Sequence, residues 1–357
     1  MSPLMIPVTE AQQPERTAAN SRTRLPPSPE YAELKRIIKA AGLLESDPRY
    51  FAFKALSLLL VYAGIVTAIV VFTHPAIILT SAVLLGFTFT QVGLLGHDLA
   101  HRQITHNSRA VRWLGLLVGN LLIAVSYSWW TAKHNQHHAT PNHLDADPDL
   151  QYAVLAFDTK SISSRPRLFY PIIAYQGILF VLMGTFQAYM LRVQAVRQVL
   201  SERSPSRLAE AAALALHGFL YVALLTQVGH WGVALAFVAL HHGIFGLYNT
   251  LVFAPNHKGM PVIDETSRRD YLREQVLTAR NIVGHPLIDF VYGGLNYQIE
   301  HHLFPSMARN RLSAAQPIVA QFCAEHDIDY LVAGPLRGIV DPIRHLHAVA
   351  APLRSQG

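Results

Sequence analysis

The sequence is poor in charged residues and almost without cysteine, and both shortages narrow the possible classes of protein. Only 15% of its 357 residues are charged, whereas 51% are hydrophobic, a composition typical of membrane proteins. Because Cys323 is the single cysteine, no intramolecular disulfide can form, and we expect this thiol to be a small buried group. The sequence has no phosphate-binding glycine loop and no serine–histidine–aspartate arrangement.

The chain is basic, with a net charge of +6 and a pI near 9.4, but this charge does not indicate nucleic-acid binding. Long uncharged runs separate the basic residues, so the positive charge favours a basic membrane face. We therefore expect membrane lipid, and no nucleic acid, as a partner.

The distribution of apolar residues predicts an all-α integral membrane protein. Four runs have the length needed to cross about 30 Å of hydrocarbon, and they are about 55–72, 76–95, 211–228 and 231–252. Two further runs, about 113–130 and 169–191, are predicted to lie in the membrane surface or re-enter it. If either run crossed, the histidine clusters described next would fall on opposite sides of the bilayer. We expect a disordered proline-rich tail over 1–30, a membrane domain over 31–310 and a cytoplasmic region over 311–357, with interfacial helices and a helical cytoplasmic cap around the histidines.

Three histidine clusters mark the predicted functional site. They contain His97 and His101, then His134, His137 and His138, then Gln298, His301 and His302. Residues three or four apart share one face of a helix, so each of the first two clusters can direct its imidazoles at one point. Glycines and Pro305 flank the third cluster and indicate a turn or a short helix. A lone histidine is more often a hydrogen-bonded polar residue, but three such clusters favour a site for iron or another borderline metal.

The three patterns, H-x-x-x-H, H-x-x-H-H and Q-x-x-H-H, resemble the histidine boxes of the membrane fatty acid desaturases, and within them the front-end type. The dipeptides His97-Asp98 and Phe304-Pro305 are similar to the same branch, and the resemblance covers about residues 50–310. It implies two non-haem iron ions that consume dioxygen and two electrons. The implied product is a long acyl chain with a new cis double bond between an existing one and the carboxyl end.

The resemblance also implies an additional histidine ligand shortly before the third box. His257 follows the last predicted span and fits this position, while Asn256 is a weaker candidate acting through water. No catalytic residue beyond the metal ligands is expected. Other polar residues are candidates to orient the ligand imidazoles, and they are Asp98, Asp145, Asp147, Asp149 and Gln298. The alternative for the three aspartates after the second box is an exposed turn.

Several polar residues lie elsewhere in or near the predicted spans. For Gln91, His241 and His242 we favour hydrogen bonds within the bundle. The alternatives are a lining residue for Gln91 and metal ligation for the two histidines. For Arg280 and Asn281 the end of a helix is favoured over contact with a lipid head group or an electron donor.

The partners follow from the resemblance and from one missing motif. The His-Pro-Gly-Gly haem motif of a fused cytochrome b5 domain is absent, so we expect a separate donor, a ferredoxin or a cytochrome b5 with its reductase. The acyl chain could be linked to lipid, coenzyme A or a carrier protein. A bacterial plasma membrane, with the site facing the cytoplasm, is favoured over the endoplasmic reticulum. The alternative functions are a di-iron membrane hydroxylase or mono-oxygenase, and a histidine-rich metal transporter, which would need polar residues along its spans.

Overall fold

The computed structural model describes residues 28–201, 206–264 and 266–355, and these residues form a helical protein with two very short strands. The predicted tail over 1–30 therefore lies, except for its last three residues, outside the described residues. The elements in chain order are α1 (Pro29–Ala40), α2 (Pro48–Val71), α3 (Pro75–Ala100), α4 (Ser108–Gly115), a π-helical segment (Leu116–Leu122), α5 (Tyr127–Ala139), α6 (Tyr170–Ala174), α7 (Gln176–Thr185), α8 (Gln187–Ser201), α9 (Arg207–Thr226), α10 (Trp231–His257), α11 (Tyr271–Leu277), β1 (Asn281–Ile282), α12 (Pro286–Tyr292), α13 (Gln298–Leu303), α14 (Leu312–Glu325), β2 (Val332–Ala333), α15 (Pro335–Val349) and α16 (Ala351–Arg354).

Four described helices, α2, α3, α9 and α10, are long and apolar enough to cross a membrane. They contain most of the four predicted runs, and the predicted class of an all-α membrane protein is confirmed. The helices α3 and α10 extend beyond their apolar runs by five residues each, to Ala100 and His257. The extensions carry His97 and His257, because the helical backbone continues beyond the end of each apolar run.

The helices α3 and α10 lie unusually close to each other. A Cβ atom at Gly86 would stand 2.6 Å from the carbonyl oxygen of His241 and 2.9 Å from the Cβ of Ile244. Gly86 therefore permits a backbone approach that a larger residue would prevent. Across the same interface the predicted helix–helix hydrogen bond of Gln91 is confirmed, because its Nε2 donates to the Tyr248 hydroxyl at 2.7 Å.

The two runs predicted to lie in the membrane surface are bent in the structure. Residues Ser108–Leu122 meet α5 at 107°, and Arg167–Ala174 meet α7 at 99°. The turn between α7 and α8 packs against Gly246, near the middle of the 27-residue helix α10. By length and composition each bent pair could also count as one span, so the surface-embedded position stays a prediction.

A separate helical layer covers the ends of α3, α5 and α10. Its core joins α1, α11, α13 and α14 through buried residues that include Leu34, Val276, Leu303 and Val319. The strands β1 and β2 pair in parallel, Asn281 with Val332 and Ile282 with Ala333. The C-terminal region therefore packs directly against the segment that carries the third histidine box. The predicted domain boundaries themselves stay predictions.

Candidate metal centre

The structure brings all eight histidines predicted as ligands into two adjacent groups. The first group contains five imidazoles, from His97, His101, His134, His138 and His301. The second group contains three, from His137, His257 and His302. In both groups the ligand nitrogens lie within 4.8 Å of one another. The second and third boxes each contribute to both groups, since neighbouring residues on a helix point in different directions.

In the first group the Nε2 atoms converge on one point. The Nε2 atom of His301 lies 3.1 Å from that of His97 and 3.2 Å from that of His138. The Nε2 atom of His134 lies 2.9 Å from that of His101 and 3.1 Å from that of His138. Burial lowers the pKa of His101 to about 3, so its imidazole is neutral and can bind a metal at neutral pH.

In the second group each Nδ1 atom faces an acceptor, which fixes the tautomer. His137 Nδ1 lies 3.0 Å from the Asp147 carboxylate, His257 Nδ1 3.0 Å from the Thr278 carbonyl, and His302 Nδ1 2.9 Å from Gln275 Oε1. The protons therefore sit on Nδ1, and the three Nε2 lone pairs point at one another. The Nε2 atom of His257 lies 3.3 Å from that of His137 and 3.1 Å from that of His302.

This arrangement fits a metal ion and is unfavourable without a cation. Lone pairs facing one another at about 3 Å repel, whereas a shared cation would bind all of them. Imidazole nitrogens bind metals at about 2.0–2.1 Å, so two ligands at right angles around one ion are about 3 Å apart. The separations of 2.9–3.3 Å in the two groups match that value. The donor set is entirely imidazole, which suits iron, copper, nickel or zinc.

The aspartates after the second box differ from one another in position. Asp147, and not Asp145, contacts a candidate ligand, because its carboxylate is fully buried against His137. Burial by itself lowers the pKa of His137, but the negative charge of Asp147 outweighs that effect, and the pKa of His137 is raised. Asp145 is exposed, as in the alternative of a surface turn. Asp149 pairs with Lys133 and lies 3.6 Å from His137 Nδ1.

Asn256 and Gln298 form a hydrogen-bonded pair beside His257. The Asn256 amide donates to Gln298 Oε1 at 3.0 Å, and Gln298 Nε2 lies 2.9 Å from His257 Nε2. The predicted orienting role of Asp98 toward the imidazoles is weaker in the structure, because its distance to His97 Nδ1 is 3.4 Å. The Asp98 carboxylate instead forms a buried ion pair with Arg309.

The helix α13, which presents His301 and His302, is held by a buried polar network. Asn281 accepts a hydrogen bond from the Ile299 amide at 2.9 Å and donates to Glu300 Oε2 at 2.7 Å. The Tyr330 hydroxyl donates to Glu300 Oε1 at 2.6 Å. Burial raises the pKa of Glu300 to about 7, against the lowering effect of the hydrogen bonds from Tyr330 and Asn281. Asn281 was expected at the end of a helix; it lies in β1 and its side chain supports the third box.

Some contacts of the ligand histidines carried no signal in the sequence. Gln275 and the Thr278 carbonyl orient His302 and His257 from α11 and its end. Trp130 stacks on His134 with ring centroids 4.5 Å apart. Sequence spacing reveals ligands that share a helix, but it does not reveal which distant side chain meets their second nitrogen.

A mainly apolar cavity lies inside the bundle beside the first imidazole group. It is lined near the histidines by Gly96, Trp130 and Phe253, and farther in by Leu191 and Phe245. The ring of Trp130 lies 5.8 Å and that of Phe253 6.4 Å from the ring of His97. Trp130 and Phe253 thus lie between this cavity and the imidazole group.

Comparison with known proteins agrees with this geometry. The family model described as fatty acid desaturase matches residues 72–333, which is more than half of the chain. This chain belongs to the fatty acid desaturase family. Among similar proteins, a Δ6 fatty acid desaturase of Caenorhabditis elegans is 30% identical over 91% of this chain and 76% of its own length. A Δ5 fatty acid desaturase of the same organism is 28% identical over 90% of this chain and 75% of its own. An acyl-lipid (9-3)-desaturase of Physcomitrium patens is 30% identical over 93% of this chain and 66% of its own length.

These relatives confirm the resemblance drawn from the three histidine boxes and the assignment of an oxidoreductase that desaturates fatty acyl chains. The family and the apolar helices together establish an integral membrane protein that uses an acyl substrate. The two imidazole groups add that this desaturase has sites capable of holding metal ions.

Proposed function

We propose that this desaturase introduces a cis double bond into a long acyl chain at a centre of two non-haem iron ions. The observation that carries the proposal is the pair of convergent imidazole groups beside an apolar cavity. Five histidines would hold one ion and three the other. The proposed ligands are His97, His101, His134, His138 and His301 for the first, and His137, His257 and His302 for the second.

The residues of the chain would hold the metals, position the substrate and exclude water. Bound iron would supply the activation of dioxygen that ordinary side chains cannot perform. Gly96 keeps the cavity open beside His97, since a Cβ there would stand 3.3 Å from Val118. Trp130 and Phe253 form apolar walls between the cavity and the imidazoles, so an acyl chain would meet the centre in a dry environment.

The finer properties of the reaction rest on the resemblance and on the relatives. The names of two relatives specify double bonds at positions 6 and 5, which supports a bond introduced toward the carboxyl end here. Electrons would come from a ferredoxin or a cytochrome b5 with its reductase, and the acyl chain would be linked to lipid, coenzyme A or a carrier protein. We place the centre at the cytoplasmic face. The proposal of a bacterial plasma membrane rests on the sequence alone. The similar proteins from an animal and a moss do not support it.

The test is expression in a host that lacks polyunsaturated lipids, with saturated, monounsaturated and diunsaturated acids supplied. Mass spectrometry that locates double bonds should find a new alkene in cells with the natural protein. His301→Ala should abolish it, whereas His106→Ala, at an exposed histidine outside both groups, should leave it unchanged. Hydroxylated chains in place of alkenes would overturn the proposed reaction, and so would an alkene that survives His301→Ala.

A further inference from the structure

The polar side chains near the middle of the spans bond to other residues of the bundle. His241 Nδ1 lies 2.8 Å from the Tyr221 hydroxyl, and His242 Nδ1 lies 3.0 Å from the Val238 carbonyl. The hydrogen bonds predicted for both histidines within the bundle are therefore confirmed. Closer to the imidazole groups, two polar side chains of the spans bond also to the short helix α12.

The helix α12 lies outside the four candidate spans but is bonded to two of them. Gln91 Nε2 of α3 donates to the Phe290 carbonyl at 3.0 Å, and the Tyr248 hydroxyl of α10 donates to the Val291 carbonyl. Gln91 and Tyr248 each come four residues before the end of their apolar run, at 95 and at 252. Four residues of helix correspond to about 6 Å. The C-terminal end of α12 therefore lies about 6 Å below the level at which both apolar runs end.

The helix α12 presents apolar residues outward and its one charged residue inward. Leu287 is 62% and Phe290 46% exposed. The Asp289 carboxylate points toward the protein, where it accepts hydrogen bonds from Asn296 Nδ2 at 2.8 Å and from the Tyr297 hydroxyl at 3.3 Å. A surface helix in water has the opposite distribution, and an exposed apolar patch marks a contact with a protein or a membrane.

Lys54 lies at the border between this patch and the span α2. Its Nζ atom lies 4.5 Å from the centroid of the Phe290 ring, and it directly precedes the apolar run of α2. A lysine at the end of a span extends its amine to the lipid head groups. Phe53 and Leu56 beside it are exposed on α2. The patch on α12 thus continues the outer surface of a spanning helix.

We propose that α12 is a membrane-surface anchor, whose residues Leu287 and Phe290 insert among the lipid acyl chains. Val283, which is also exposed, extends the same apolar segment, and residues 283–287 include no acidic residue, lysine or arginine. Interfacial helices bury their apolar face about 5–10 Å into the boundary between head groups and acyl chains, and the depth of α12 agrees with that range. The patch contacts lipid and not a partner protein, because it lies below the end of two apolar runs and borders Lys54.

The anchor holds the third histidine box at a fixed height relative to the bilayer. Asn296 and Tyr297, which both bond to Asp289, directly precede α13. A Cβ atom at Gly284 would clash with the Tyr297 hydroxyl, so the segment before α12 is packed tightly against the same tyrosine. The candidate ligands of α13 are therefore joined to the lipid surface by a short and closely packed connection.

The test measures the surroundings of α12 in the purified full-length protein in lipid nanodiscs. A bimane dye would be attached at Leu287→Cys or at Phe290→Cys, and the natural thiol of Cys323 is fully buried. Two quenchers would be compared, phosphatidylcholine brominated on its acyl chains and iodide in the water. The lipid control is Leu60→Cys, at an exposed residue of α2, and the water control is Gln321→Cys, at an exposed residue of α14.

Brominated lipid should quench the dye on α12 about as strongly as the dye at Leu60→Cys, and iodide should quench it less than at Gln321→Cys. An unchanged unfolding temperature reports that each labelled variant is folded. Quenching by iodide alone would overturn the anchor. Protection from both quenchers would overturn it as well, because a partner protein or a second copy of the chain would then cover the patch. The measurement needs neither turnover nor metal, so its result is independent of the proposed reaction.

Discussion

The hydroxyl of Tyr330 should affect metal binding although it touches no ligand. It donates to Glu300 at 2.6 Å, and the same carboxylate accepts from Asn281 at 2.7 Å. Glu300 directly precedes His301 and His302 in α13. Tyr330→Phe would remove the hydroxyl and keep the ring, so the carboxylate would lose one of its two side-chain donors and α13 would gain freedom.

The magnitude follows from the kind of hydrogen bond that is lost. Above pH 7, where the Glu300 carboxyl with its pKa of about 7 is ionised, a hydrogen bond to this charged group contributes about 1.5–3 kcal/mol. Without metal the freed helix can relax, and ordering it again when metal binds would cost up to that amount. Each 1.4 kcal/mol corresponds to a factor of ten in an equilibrium constant. Metal affinity should therefore fall by about tenfold to a hundredfold.

The assay is competition between the purified protein and a calibrated chelator, with bound metal measured by mass spectrometry. Tyr175→Phe removes a hydroxyl from an exposed tyrosine and should have no effect. Glu300→Gln keeps a side chain of the same shape and separates the loss of charge from the loss of geometry. If Tyr330→Phe retained both metals at the chelator concentration that the natural protein tolerates, this account of how α13 is held would be refuted.

Two further substitutions test the site and the bundle. Gln275→Ala should weaken metal binding by about tenfold to a hundredfold in the chelator assay, because His302 loses the acceptor at 2.9 Å that fixes its tautomer; unchanged affinity would contradict that role. Gly86→Ala should lower the thermal unfolding temperature in detergent, since the new Cβ would stand 2.6 Å from the backbone oxygen of His241 and overpacking destabilises a closely packed core. Gly64→Ala, with no atom within 4 Å of the new Cβ, is the control, and equal unfolding temperatures for the two variants would contradict the close helix contact.

The sequence allowed the spans and the candidate ligands to be predicted because both depend on local patterns. Apolar length indicates a membrane helix, and spacing of three or four residues places His134, His137 and His138 on one helix, where the structure has them. The division of these residues into two groups could not be predicted, because it depends on the direction in which α5 meets α3 and α13. From the sequence, Asp147 and Asp149 are equally plausible partners of an imidazole. Only the fold shows that Asp149 forms an ion pair with Lys133.

The contacts that hold the third histidine box show why its position could not be predicted from the sequence. The helix α13 has six residues, and a helix of that length is not stable alone in water. Its position is fixed by hydrogen bonds from Tyr31 to the Leu303 carbonyl, from Tyr271 to the His302 carbonyl and from Tyr330 to Glu300. These three tyrosines belong to the N-terminal helix, the helix α11 and the C-terminal region. Two candidate ligands that are adjacent in the sequence thus depend on three distant segments, and the C-terminal region is a structural part of the candidate metal centre.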